Sequence, residues 1–78
     1  MPWFRYYWSD DLEEKLAEHG LTADDFEFAF EYYYREEQSH SSRRLVRFRF
    51  TEDGRRIVVV FEWDEVNITV IPVTAYEV

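Results

Sequence analysis

Residues 57–63 read Ile-Val-Val-Val-Phe-Glu-Trp, the longest nearly unbroken run of β-branched and aromatic residues in the chain. Five consecutive apolar residues cannot alternate a wet side with a dry one. The run therefore predicts a strand buried on both faces, or central in a sheet. It is too short to cross a bilayer and too β-branched to read as a helix. A chain of 78 residues supports one domain with one core, so this strand is expected at its middle. The sequence has no cysteine, which excludes disulfides and thiolate metal sites. The core must rest instead on 7 Phe, 6 Tyr and 3 Trp, each of which removes a large apolar area from water when buried.

The neighbouring segments can be read around that strand. Residues 3–8, Trp-Phe-Arg-Tyr-Tyr-Trp, predict a first strand with Phe4, Tyr6 and Trp8 on one face and Trp3, Arg5 and Tyr7 on the other. Ser9 and Asp10 both suit a helix N-cap, Asp10 with Glu13 has the spacing of a capping box, and Leu12, Leu16 and His19 form a narrow inward stripe. A first helix is thus expected over 10–19, closed by Gly20. Thr22 and Asp25 form a second capping pair, and Leu21 and Phe26 are spaced as a hydrophobic staple. Phe26, Ala29, Phe30, Tyr33 and Tyr34 then keep helical spacing, so a second helix is expected to run to about residue 34.

Residues 35–42 are polar and read as a loop. Residues 43–50 alternate, with Val46, Phe48 and Phe50 on one face and Arg43, Leu45, Arg47 and Arg49 on the other. Asp53-Gly54 predicts a hairpin turn into the central strand, and Asp64-Glu65 a second turn into a last strand over 66–73. Pro72, which has no N–H, suits the end of that strand or a sheet edge. The expectation is an α+β single domain, β-α-α-β-β-β: an antiparallel meander, the first strand added to it, and two helices on one face.

Net charge is −8, and all of the excess lies in residues 1–42, with 11 acids against 3 bases; residues 43–78 balance 6 against 6. An acidic surface repels phosphate backbones and favours a basic partner protein. The opening residues contain neither a basic nor an apolar leader segment, so a cytoplasmic protein without membrane contact is expected.

With the helices on one sheet face, Arg47 and Arg49 are expected on the other, joined by Arg43 and by Arg55 or Arg56. Such a stripe would either bind RNA phosphates or pair across strands with Glu62 and acids near the turns. His40, among serines just before the basic strand, is the candidate acid–base catalyst. His19 reads as a structural residue of a helix end, and Glu13, Glu14, Asp24 and Asp25 as first-turn helix acids. No metal-ligand spacing and no cofactor motif is present. Three consecutive tyrosines, 32–34, cannot all face one core, and Trp3 and Tyr7 alternate outward. Trp3, Tyr7, Tyr32 and Tyr34 are therefore the candidates for a homodimer or partner interface.

Several of these segments resemble the BrnT-like family of small bacterial proteins. His19-Gly20-Leu21-Thr22 resembles that family's K-H-G-[VI]-[ST] helix break. Asp53-Gly54-Arg55 before Ile57 resembles its D-G-R-x-L-x-V-V-Y hairpin and strand. Thr74-Ala75-Tyr76-Glu77 is similar to a P-V-T-A-x-E ending. The resemblance implies a RelE-like toxin fold and a metal-independent ribonuclease neutralised by an antitoxin. It departs from the family where an R-x-I-S-A-R pattern is usual, since residues 69–74 carry no base; Ser41-Ser42-Arg43-Arg44 likewise replaces Y-G-E-x-R. Two functions are thus expected: a BrnT-like ribonuclease toxin, or a non-catalytic protein-interaction module of the same fold.

Overall fold

A computed structural model describes residues 3–38 and 43–78. The elements in chain order are β1 (Arg5–Tyr6), α1 (Asp10–Glu18), α2 (Ala23–Glu31), β2 (Arg35–Gln38), β3 (Leu45–Phe50), β4 (Arg56–Asp64) and β5 (Thr69–Glu77). Among the described residues they form an α+β single domain whose sheet has the order β1-β5-β4-β3-β2. The apolar run falls within β4, in the middle of that order. Ile57, Val58, Val59 and Phe61 are all buried there. The sheet is mixed: β1 runs parallel to β5 and the other neighbours are antiparallel.

Both helices pack on one face. Leu16, Leu21, Phe26, Ala29 and Phe30 meet Ile57, Val59, Phe61, Val70 and Ala75 in a single core, flanked by Phe4, Tyr6 and Trp8. The aromatic rings interlock edge to face, with Phe30 on Phe61 at 4.8 Å and on Phe4 at 5.3 Å. The first strand spans only Arg5–Tyr6 of the expected residues 3–8; beyond it, Trp8 packs on Phe26 and donates its indole N–H to Glu27 at 2.9 Å, tying the segment between β1 and α1 to α2. Burial pushes the Tyr6 phenol well above its ordinary range, with the Glu31 and Glu27 carboxylates adding to the effect.

The second capping pair forms as spaced. Thr22 Oγ1 accepts from the Asp25 N–H at 3.2 Å, and the Asp25 carboxylate accepts from the Thr22 N–H at 2.9 Å. Thr22→Ala removes the hydroxyl acceptor and should cost about 1 kcal/mol. A urea unfolding curve should show the midpoint fall with unchanged slope.

Other expectations need correction. Of the two N-cap candidates of α1 the chain uses Ser9, so the Asp10–Glu13 capping box does not form, and the Ser9 side chain makes no capping hydrogen bond. Leu12 and Leu16 are buried as expected, but His19 is exposed beyond the helix. Gly20, at φ 73°, then turns the chain in the left-handed region that favours glycine. Helix α2 stops at Glu31, short of residue 34, with Tyr32 as its C-cap. Tyr33 and Tyr34 lie outside it and are exposed.

The chain then enters β2, where polarity predicted only a loop. An edge strand need not be apolar, because cross-strand hydrogen bonds, not burial, hold it. The last strand starts at Thr69 rather than at residue 66. The Asp64 carboxylate accepts from the Val66 and Asn67 N–H groups and holds residues 65–68 in a turn. Pro72 lies inside β5 and not at its end. The missing donor is accommodated at a register shift, with Val60 opposite Thr74 and Phe61 opposite Pro72.

The largest correction concerns the arginines. Arg47 pairs with Val59 and Arg49 with Ile57, both core residues, so the two arginines point toward the helices. Val46, Phe48 and Phe50 take the open face. Alternation gave the two sides of the strand correctly; which side met the helices was inverted.

Candidate functional site

Helix α2 ends with no basic residue in its last turn, so its C-terminal carbonyls lack a local cation. Strand β3 supplies two. Arg47 donates to the Phe30 carbonyl at 2.8 Å and, through Nε, to Glu36 of β2 at 2.9 Å. Its guanidinium lies 4.1 Å from the Phe30 ring centroid and 4.0 Å from that of Tyr33. Arg49 donates to the Tyr32 carbonyl at 3.0 Å and lies over Phe28. The two side chains fasten the end of α2 to the sheet.

Beside this clamp is a cleft of about 620 Å³. The buried Phe61 and Phe30 and the half-buried Leu45 line it. The mutually packed rings of Trp3, Phe4 and Trp63 line it too, together with Glu31, Tyr32, Glu36 and Arg47. Trp3 meets Trp63 edge to face at 5.7 Å, so ring faces and ring edges are both presented. Chemically this is an aromatic recess with two carboxylates, beside an arginine already engaged by one of them. It suits a side chain with an apolar stem and a cationic head.

The sequence candidates separate onto several surfaces. Arg47 enters the cleft, Arg49 lies under α2, and Arg55 sits in the β3–β4 turn, facing Asp53 at 3.1 Å and Glu77 at 3.9 Å. They do not form one stripe, and Glu62 is not among the ion partners found for them. The Thr51 hydroxyl and Arg55 hold the Asp53 carboxyl below the usual carboxylate range. His40 lies outside the described residues. Trp3 and Tyr32 line the cleft, Tyr34 stacks on Phe50 across the sheet, and Tyr7 lines a second groove with Arg5, Asp64 and Ile71. All four are exposed.

Sequence reading missed Glu31, Glu36 and Trp63 as lining residues. Trp63 had a signal, at the end of the apolar run. Glu36 had none, because its side chain is aimed by a strand that polarity concealed. Among the described residues, no group of three or more acids and histidines gathers where a metal ion could sit, and no helix is long and apolar enough to cross a membrane. The chain matches no protein-family model, no curated protein and no solved structure.

Proposed function

We propose that the chain is a BrnT-like protein of RelE-like fold that works as a non-catalytic protein-interaction module in the cytoplasm. It takes a basic, antitoxin-like segment of a partner protein at the aromatic cleft. The observation that carries this reading is where the arginine side chains end. A metal-independent ribonuclease needs cations free to meet the charge developing on phosphorus. Arg47 is held by Phe30 and Glu36, Arg49 by Tyr32, and Arg55 lies beside Asp53 and Glu77. A net charge of −8 opposes RNA binding and steers a basic protein inward. Trp and Tyr side chains such as Trp3, Trp63 and Tyr32 supply the rigid contact area that anchors partner segments.

Induced expression in bacteria, followed by growth and RNA integrity, separates this reading from a toxin. Normal growth and intact RNA are expected. RNA cleavage by the purified protein would overturn the reading in favour of the ribonuclease. In parallel, an amphipathic arginine-rich peptide should change the tryptophan fluorescence saturably, and Trp3→Ala combined with Glu31→Gln should weaken its binding at least tenfold. An unchanged affinity in that double variant would remove the cleft as the docking site.

A further inference from the structure

The second face of the sheet carries an apolar surface that no described element covers. Alternation along β3 sends Val46, Phe48 and Phe50 away from the helices, opposite Val60, Val58 and Arg56 of β4. Tyr34 stacks on Phe50, with ring centroids 5.1 Å apart and planes at 10°, and Arg56 lies over Phe48 at 4.8 Å. Val58 is only 2% exposed although it faces away from the helices. The face is therefore already packed within itself, like half of a second core. Its outer layer remains in solvent: Phe50 is 51% exposed, Tyr34 48% and Tyr76 39%.

We propose that this face is a self-association surface, on which two copies of the chain pack open sheet to open sheet. Charge selects the occupant. The acidic excess lies in residues 1–42, and helices α1 and α2, which hold most of those acids, pack on the opposite side of the sheet. The open face balances its own charges: Arg35 pairs with Glu37 at 2.7 Å, and Arg56 lies two strand positions from the Val58–Tyr76 pair, with Glu62 further along β4. A basic partner has no electrostatic reason to choose it. A second copy meets it without like-charge repulsion and holds the two helix layers apart by two sheets and the ~10 Å gap between stacked sheets, a separation at which salt screens their repulsion.

The area sets the strength of the contact. Strands of six to nine residues, with a rise of about 3.3 Å and a spacing of about 4.8 Å, give β3, β4 and β5 together a face on the order of 400 Å². Stable interfaces bury about 800 Å² per partner, so the expected dimer is weak and reversible and forms only at high concentration. An isologous arrangement about a twofold axis closes the assembly at two copies.

Sedimentation equilibrium of the full chain from micromolar to millimolar concentration tests this. The weight-average mass should rise from one chain toward two. Phe50→Lys sets a charge against its own copy at the interface and should keep the protein monomeric at every concentration, with an unchanged circular dichroism spectrum. Tyr76→Lys, on a different strand, should do the same and decides the matter if Phe50→Lys does not fold. Val66→Lys, in the β4–β5 turn, should dimerise like the parent chain. A parent chain that stays monomeric throughout overturns the proposal, as does a dimer that survives both lysine variants in folded form. These readouts involve neither RNA nor the cleft peptide, so this inference and the proposed function fail independently.

Discussion

Phe61→Ala is expected to remove a large share of the folding stability, about 3–5 kcal/mol. Phe61 is 1% exposed and is among the largest fully buried side chains. It meets Phe30 edge to face at 4.8 Å, and the Arg47 guanidinium lies 5.2 Å from its ring. Truncating a buried phenylalanine costs about 3–5 kcal/mol, from lost transfer energy plus the cavity left behind. The total stability of a domain this size is about 4–12 kcal/mol at ~0.05–0.15 kcal/mol per residue. The site cannot collapse easily, because Phe61 lies on the middle strand with β3 and β5 hydrogen-bonded on either side. Phe61→Leu, which retains most of the volume, should remain folded at a cost of roughly 1–1.5 kcal/mol. Urea unfolding monitored by far-ultraviolet circular dichroism checks both. A Phe61→Ala protein that loses under about 1 kcal/mol would mean that the strand is not the centre of the core.

Arg47→Ala should be the most damaging change of a charged residue, at about 2–4 kcal/mol. It removes two charge-assisted hydrogen bonds, at about 1.5–3 kcal/mol for a bond to a charged group, and ring contacts of about 0.5–2 kcal/mol. The contributions overlap, since one side chain makes them all. The loss also leaves Glu36 and the Phe30 carbonyl without this donor. Arg47→Lys should fall between the parent and Arg47→Ala, because an ammonium is a point charge without the planar fork that reaches both acceptors. Crossing Arg47→Ala with Glu36→Gln should give a coupling energy of about 0.5–3 kcal/mol. The effect must appear in protein free of RNA. An arginine meant for phosphate would lower RNA affinity and leave the thermal midpoint nearly unchanged. An Arg47→Ala protein as stable as the parent would dissolve the clamp.

Both residues lie where sequence and structure overlap unevenly. Phe61 was legible because five apolar residues in a row admit few solutions in a chain with one core. The capping box at Thr22 and the left-handed Gly20 were legible because both are satisfied within a few residues of chain. Strand β2 was not legible, since Arg35-Glu36-Glu37-Gln38 carries no apolar period and acquires its structure from the edge of β3. The helix ends were read only in part for a similar reason: periodicity continues through Tyr33 and Tyr34, while the chain leaves α2 to bring β2 against β3.

The cleft could not be read at all as a unit. It joins Trp3, Glu31, Glu36 and Trp63 from four separate segments, and no spacing in a sequence encodes their meeting. By itself, the amino-acid sequence determined that β4 is the buried centre, that two helices, the second of them closed by a capping box, precede a β-meander, and that the acids lie in the first half. These follow from local periodicity and from the need of a small chain to bury its apolar run. The tertiary structure alone decided which side of β3 faces the helices. Period-two alternation defines two faces but labels neither. The label was set by packing, because Leu45 completes the core beside Phe61, and the aliphatic stems and planar heads of Arg47 and Arg49 fit beneath α2, whose terminal carbonyls require donors. That one choice turns the expected basic surface inward and leaves Phe50 and Tyr34 exposed on the other face, with Phe48 half-buried beneath Arg56.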